Sequence, residues 1–290
     1  MRTISSYIVT LMTILLLQGC SGGLFTSRAP VTLKEVWSSD NTLRTPESVL
    51  FDRERNVLYV SNINQISKSR KDGDGFISRL SPNGDIEQLY WVSGLNNPKG
   101  MALQNNVLYV ADIDEIVAIA TQTGSILSRH KVDKAQSLND VTVDNAGNVY
   151  VSDSDKGAIY LFRNGRVSSW LDNTRREKPN GLLYDSNRLI VASMNTGKVR
   201  FLDTESKDFT DWVDKIPSAD GIARVGTEGY FVSNWNGEIF YVNQAGKKWK
   251  VLDTKGKKIN SADIYYSEEQ QLLYVPTFND NRVVAYSVAF

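Results

Sequence analysis

An all-β fold, a six-bladed β-propeller closed by an N-terminal strand in its last blade, is predicted from three features of the 290-residue sequence. A strand-like segment of alternating apolar residues occurs six times, at intervals of roughly 40 to 50 residues. Further strand-like segments flank each copy, which gives every repeat the strands of a propeller blade. Finally, the last repeat lacks its fourth strand, and a matching segment is left over near the N-terminus.

The six copies share β-branched and aromatic residues in alternation, as expected for strands that lie inside a sheet. In chain order they read VLYVSN (ending at Asn62), VLYVAD (Asp112), NVYVSD (Asp153), LIVAS (Ser193), GYFVSN (Asn234) and LLYVPT (Thr277). Each follows a short strand and a polar turn and precedes a third strand. A fourth strand rich in apolar residues then follows, except after the sixth copy. Six matched copies favour a propeller over a large β-sandwich.

The closing strand is predicted from what the last repeat lacks. The sixth copy reaches the C-terminal Phe290 after its third strand, and VTLKEVW (Val31–Trp37) remains unassigned at the front. Pairing these two segments in one blade would close the ring and remove its open sheet edges. Residues 31–290 are therefore predicted to form one propeller with no second domain, and we expect a monomer.

The N-terminal segment has the composition of a secretory signal. Arg2 precedes the apolar run Ile8–Leu17, which is short for a membrane span, and Leu17-Gln18-Gly19-Cys20 resembles a bacterial lipobox. We expect residues 1–19 to be a signal peptide, Cys20 to carry a lipid, and residues 20–30 to be a tether. The expected location is the cell envelope, on the periplasmic face of the outer membrane if the source is Gram-negative, with contact to the membrane through the lipid alone.

Composition narrows the choice of partners. The chain has 33 basic and 33 acidic residues, so its formal net charge is zero, and nothing favours a nucleic-acid partner. Cys20 is the only cysteine, which excludes an intrachain disulfide. A small-molecule substrate or ligand is the expected partner.

The turns that precede the six first strands place polar residues in equivalent positions. Because innermost propeller strands run parallel around the axis, we expect these residues to form a ring at one mouth of the channel. The predicted ring is Glu47, Lys99, Asp140, Asn180, Asp220 and Asp263. The polar residues that end the second strands, Asn62 among them, would form an outer circle. Oxygen donors of the Asp, Glu and Asn types suit Ca²⁺ or Mg²⁺, whereas waters and hydrogen bonds among polar residues are the alternative filling.

The chain resembles the superfamily of senescence marker protein, gluconolactonase and luciferin-regenerating enzyme, which are six-bladed propellers. The resemblance covers Val31 to Phe290 and depends on TPESVLFD, LNDVTVDNAGNVYVSD, PNGLLYD and ADGIARV. It implies that Glu47, Asn180 and Asp220 bind one divalent cation, Ca²⁺ above all but also Zn²⁺, Mg²⁺ or Mn²⁺. It also implies that Asn139 contacts the substrate or a water bound to the metal.

The sequence departs from the family pattern at three points. Glu47 is followed by Ser-Val-Leu-Phe, without the family's glycine, proline and tryptophan. Ser137 stands where the family has an arginine, which weakens the expectation of a sugar-acid substrate. Lys99 lies in the ring itself, where an ammonium could neutralise Glu47 and Asp220 and take the place of the metal.

Three functions remain open from the sequence. The first is a metal-dependent hydrolase of a small lactone or ester, with Asp220 as general base and with Asn139, Asp140, Lys99, Asn62 and Trp235 as candidate substrate contacts. The second is a non-catalytic propeller that binds a ligand or an envelope protein. The third is a lyase or another activity found on propellers. An ammonium at Lys99 that reaches both Glu47 and Asp220 and leaves no space for an ion would favour the second.

Overall fold

The computed structural model describes residues 28–64, 71–227 and 229–290. Within them, 24 strands, numbered β1 to β24 in chain order, form six four-stranded antiparallel sheets. The predicted signal peptide, and Cys20 with most of the predicted tether, lie outside the described residues. Within the described part of the chain, no helix is long and apolar enough to cross a membrane.

Each sheet is one blade, and its innermost strand contacts the innermost strands of both neighbouring blades. The innermost strands are β2 (Pro46–Asp52), β6 (Pro98–Gln104), β10 (Leu138–Val143), β14 (Pro179–Asp185), β18 (Ala219–Val225) and β22 (Tyr265–Ser267). The second strands are β3 (Val57–Asn62), β7 (Val107–Asp112), β11 (Val149–Asp153), β15 (Arg188–Ser193), β19 (Gly229–Asn234) and β23 (Leu272–Thr277). This arrangement confirms the predicted six-bladed propeller.

The two outer positions of each blade complete the sheets. The third strands are β4 (Gly75–Leu80), β8 (Glu115–Ala120), β12 (Ala158–Arg163), β16 (Val199–Asp203), β20 (Glu238–Asn243) and β24 (Arg282–Ala289). The outermost strands are β5 (Ile86–Leu95), β9 (Ile126–Lys131), β13 (Arg166–Leu171), β17 (Phe209–Val213), β21 (Lys248–Asp253) and β1 (Thr32–Ser38). Two short 3₁₀ helices, Lys255–Lys257 and Phe278–Asp280, complete the regular structure.

Burial follows the position of a strand in its blade. Strands β3 and β19 are buried at every residue, because both faces of these strands pack against neighbouring blades. Strand β9 instead alternates half-buried and exposed residues, as expected for an outermost strand with one face in solvent. The apolar core is therefore distributed between adjacent blades, as where Tyr59 and Ile77 of the first blade pack in one cluster with Leu108 and Val110 of the second.

The last blade closes the ring as predicted. Strand β1 pairs antiparallel with β24, from Thr32 opposite Ala289 to Ser38 opposite Val284. The N-terminal strand thus covers the edge that β24 would otherwise expose. On the inner side, a parallel bridge between Ser48 and Asp263 joins the first blade to the last.

Candidate functional site

A cavity of about 230 Å³ lies at the mouth of the channel where the innermost strands begin. Its polar lining comes from Glu47, Lys99, Asn139, Asn180, Ser218 and Asp220. Its apolar lining comes from Ile63, Met194, Trp235 and Phe278. The structure thus brings together six of the side chains singled out in the sequence, namely Glu47, Lys99, Asn139, Asn180, Asp220 and Trp235.

The pairing register shows which residues are equivalent among the blades. Pro46, Pro98, Leu138, Pro179 and Ala219 each stand opposite the last residue of their blade's second strand. The ring positions are therefore Glu47, Lys99, Asn139, Asn180 and Asp220, one residue further along each chain segment. The prediction that Asp140 occupies the ring position in the third blade is wrong by one residue, and Asn139 occupies it.

A repeated hydrogen bond supports this register. The backbone N–H groups of Ser48, Asp140 and Gly221 each donate to a serine hydroxyl on the second strand of their own blade. These three residues therefore occupy one equivalent position, directly after the ring. The same position in the fourth blade is Gly181.

The glycines after Asn180 and Asp220 allow adjacent blades to approach closely. A Cβ atom on Gly181 would overlap the backbone oxygen of Asp220, and one on Gly221 would overlap the backbone and carboxylate of Asp263. Only glycine fits at such contacts. The Pro-Asn-Gly and Asp-Gly motifs thus serve to bring neighbouring ring side chains together. In keeping with this, Asn180 Nδ2 donates a hydrogen bond of 3.1 Å to Asp220 Oδ1.

Two of the predicted ring carboxylates face the other end of the channel. Asp140 and Asp263 line a separate cavity of about 470 Å³ that opens at the opposite mouth. Asp140 accepts hydrogen bonds from the backbone N–H groups of Val141 and Leu182, and Asp263 accepts one of 2.6 Å from the Ser48 hydroxyl. The predicted role of Asp140 as a substrate contact is therefore not supported by its position.

Burial makes the carboxylates of the channel poor acids. It raises the pKa of Glu47 to about 7, where the positive charge of Lys99 opposes the shift and the charge of Asp263 adds to it. It also raises the pKa of Asp263 to about 7. The pKa of Asp220 lies well above its ordinary value because of burial and then the charges of Glu47 and Asp263. Such a group of carboxylates gains stability from either protons or a cation.

Lys99 is the cation that the lining itself supplies. Its side chain is 12% exposed, and its Nζ lies 3.8 Å from Glu47 Oε1, which is long for a direct hydrogen bond. No ion pair within 4.0 Å joins Lys99 to Asp220 in the described part of the chain. Lys99 therefore neutralises Glu47 in part, and it does not bridge Glu47 and Asp220 as it would if it replaced a metal.

Two oxygen atoms of the predicted metal ligands have no hydrogen-bond partner. They are Glu47 Oε2 and Asn180 Oδ1, and both are buried. Leaving a buried polar atom without a partner costs about 1–3 kcal/mol, so both atoms favour a bound partner such as a water or a cation. The residues described here include no cluster of three or more His, Cys, Asp or Glu side chains suited to a metal, so the donor set depends on the Asn180 amide. Oxygen donors of this kind fit a hard divalent cation.

The outer circle has a structural role. Asn62 Oδ1 accepts a 2.8 Å hydrogen bond from the backbone N–H of Arg44, and its Nδ2 donates to Val60 O and Ser78 Oγ. Asp112 and Asp153 likewise accept hydrogen bonds from backbone N–H groups in the loops that lead into their own blades. Asn62 therefore does not line the cavity, and its position does not support the predicted substrate contact.

The apolar wall was only partly anticipated from the sequence. Ile63, Met194, Trp235 and Phe278 each come directly after the last residue of a second strand. A signal was available in the sequence, because four of the six residues that directly follow an outer-circle position are apolar and line the cavity. Ser218, which lies just before β18 with a φ of 54°, gives no such signal.

Comparisons with known proteins relate the chain to propellers. Neither the protein-family models nor the curated protein sequences provide a match. Among solved structures, the chain is similar to a streptogramin B lyase, with a TM-score of 0.64 and 7% identity over 89% of this chain and 97% of that one. It is also similar to a catalytically inactive histidine-to-alanine variant of virginiamycin B lyase from Staphylococcus aureus with quinupristin, with a TM-score of 0.62 and 13% identity over 89% and 99% of the two chains.

These similarities establish the fold alone, because the identities are so low. The fold and the site together define a class of protein, namely a six-bladed propeller in which polar and apolar side chains line a cavity at the start of the innermost strands. The resemblance to the gluconolactonase superfamily stays a prediction from the sequence motifs.

Proposed function

We propose that the chain is a divalent-cation-dependent hydrolase of a small lactone or ester, exported as a lipid-anchored protein. The observation that carries the proposal is the pair of buried oxygen atoms without partners, Glu47 Oε2 and Asn180 Oδ1, in the cavity that Asp220 also lines. Glu47, Asn180 and Asp220 would hold the cation, with Ca²⁺ as the first candidate. When bound, the cation would polarise the carbonyl group of the substrate.

The remaining steps belong to side chains of the lining. Water adds to the carbonyl carbon, and the Asp220 carboxylate, which lines the same cavity, accepts the proton that the water loses. The ring C–O bond then breaks, and Asp220 returns the proton to the leaving alkoxide. Lys99 would supply positive charge where the carbonyl oxygen becomes negative, and the Asn139 amide, which lines the same cavity, would orient the substrate.

The similarity to the lyases does not include a histidine at the cavity. One of the similar lyase structures is that of a catalytically inactive histidine-to-alanine variant. This chain contains one histidine, His130, on the outermost strand β9, where its ring contacts Phe162 at 4.4 Å between centroids and its Nε2 lies 2.8 Å from Ser128 Oγ. A reaction that needs a histidine in the cavity is therefore not supported.

The test is hydrolysis of a panel of small lactones with Ca²⁺ and with EDTA. We expect activity with Ca²⁺ only, and we expect Asp220→Asn to abolish it. The matched control is Asp263→Asn, because Asp263 is another carboxylate of the channel but faces the opposite cavity. Activity that survives in Asp220→Asn would contradict the assignment. If the parent hydrolyses no lactone with any divalent cation, the non-catalytic ligand-binding function takes its place.

A further inference from the structure

We infer that the ligand of this cavity is an uncharged lactone or ester with an apolar body, and that Trp235, Phe278 and Met194 select it over polyhydroxylated lactones. The inference rests on the proposed function for the reacting group. The choice of ligand class depends on the cavity wall.

The apolar wall draws residues from three neighbouring blades. Met194 follows β15, Trp235 follows β19 and Phe278 follows β23, so the three residues come from the fourth, fifth and sixth blades in turn. The rings of Trp235 and Phe278 meet edge to face, with centroids 4.6 Å apart and planes at 64°. Edge-to-face packing holds both rings in one orientation, which gives the wall a fixed shape for an apolar group.

Apart from Ser218, the polar side chains of the lining belong to the ring, and several of them already interact with one another. Asn180 donates to Asp220 at 3.1 Å, and Lys99 lies 3.8 Å from Glu47. These groups suffice for one carbonyl and its ring oxygen. The additional hydroxyl groups of a sugar lactone would face Trp235, Phe278 and Met194, where they would lose their bonds to water without gaining partners.

Charge and size point the same way. Among the lining residues that the structure describes, Lys99 is the single cation, and it stands beside Glu47. A carboxylate on the substrate would therefore face Glu47 and Asp220, find no second basic side chain among those lining residues, and compete with the reacting carbonyl group for the proposed cation. The volume of about 230 Å³ is also below the roughly 300–1,000 Å³ of most small-molecule sites. A compact, uncharged and apolar ligand fits these limits.

The experiment compares two lactones of equal size and their lactam analogues, which resist hydrolysis. δ-Decalactone and glucono-δ-lactone have the same number of non-hydrogen atoms. By calorimetry with the two lactams, we expect the apolar compound to bind at least about tenfold more tightly. Trp235→Ala should weaken its binding by at least about tenfold and leave the glucono compound unaffected. The control is Trp249→Ala on β21, the outermost strand of the same blade, which should change neither affinity.

A second variant guards against loss of fold. Met194→Gln keeps nearly the same volume at a half-buried position and introduces an amide into the wall, so it should also weaken binding of the apolar lactam. If neither lactone is hydrolysed but the apolar lactam binds and needs Trp235, the proposed hydrolysis fails and the ligand class stands. Tighter binding of the glucono lactam, binding of neither lactam, or equal effects of Trp235→Ala and Trp249→Ala would overturn the inference.

Discussion

The stability of the metal-free protein should fall as pH rises from 5 to 8, which is opposite to the usual effect of carboxylates paired with cations. The reason lies in Glu47 and Asp263, whose pKa values rise from 4.5 and 3.8 to about 7 on folding. In this range the folded chain binds protons that the unfolded chain has released. The contribution is therefore fully present below pH 4, and it is lost as pH rises through about 7.

The magnitude follows from the shift of Glu47 alone. A pKa that rises from 4.5 to about 7 corresponds to about 3 kcal/mol, at about 1.4 kcal/mol per unit. Asp140, Asp220 and Asp263 also have raised pKa values because of burial, and they add to the fall. A bound divalent cation favours the ionised forms of Glu47 and Asp220, so saturating Ca²⁺ should flatten the curve.

The assay is urea unfolding at several pH values between 5 and 8, in EDTA and in Ca²⁺. We expect the free energy of unfolding in EDTA to drop by at least about 3 kcal/mol across this range. Asp263→Asn removes one titrating group without touching a proposed metal ligand, and it should make the drop smaller. A free energy that stays level or increases with pH in EDTA would refute the description of the channel carboxylates.

Three further predictions concern the ring cation, the closure of the propeller and the lipid. Lys99→Met should lower the free energy of unfolding by about 3 kcal/mol or more at pH 8 in EDTA, because Glu47 loses its neighbouring positive charge. In Ca²⁺ the loss should be less than about 1 kcal/mol. Equal losses in the two conditions, measured by urea unfolding, would count against a metal beside Glu47. Deleting β1 should lower the melting temperature by at least about 10 °C, because it exposes the edge of β24, and calorimetry showing an unchanged value would contradict the closure. Cys20→Ala should move the protein from the membrane fraction to the soluble fraction, and an immunoblot showing no change would remove the lipid anchor.

The fold was predictable because the signal repeats. Alternating apolar residues such as those of VLYVSN and VLYVAD identify the same buried strand in each blade. The last repeat lacks its fourth strand, which indicates that β1 closes the ring. Because the pattern occurs six times, a wrong strand assignment in one repeat does not change the predicted architecture.

The site was predictable only in part, because single residues lack that redundancy. Asn139 and Asp140 are both polar neighbours in one turn, and the sequence alone could not show which of them takes the ring position. The register of β10 against β11 decides it, since a shift of one residue turns a side chain to the other side. Asn62 was misplaced for a related reason: an amide that fastens a loop and one that faces a cavity look alike in sequence.

Calcium titration of the purified protein by calorimetry, after removal of metal with EDTA, tests the central claim most directly. The parent should bind one Ca²⁺ per chain at the cavity, because Glu47 Oε2 and Asn180 Oδ1 are buried without partners there. Glu47→Gln and Asp220→Asn should each lose that binding, whereas Asp263→Asn, which removes a charge that is not a proposed ligand, should only weaken it. A parent chain that binds no divalent cation, or one whose binding is unchanged in Glu47→Gln and Asp220→Asn, would contradict the claim.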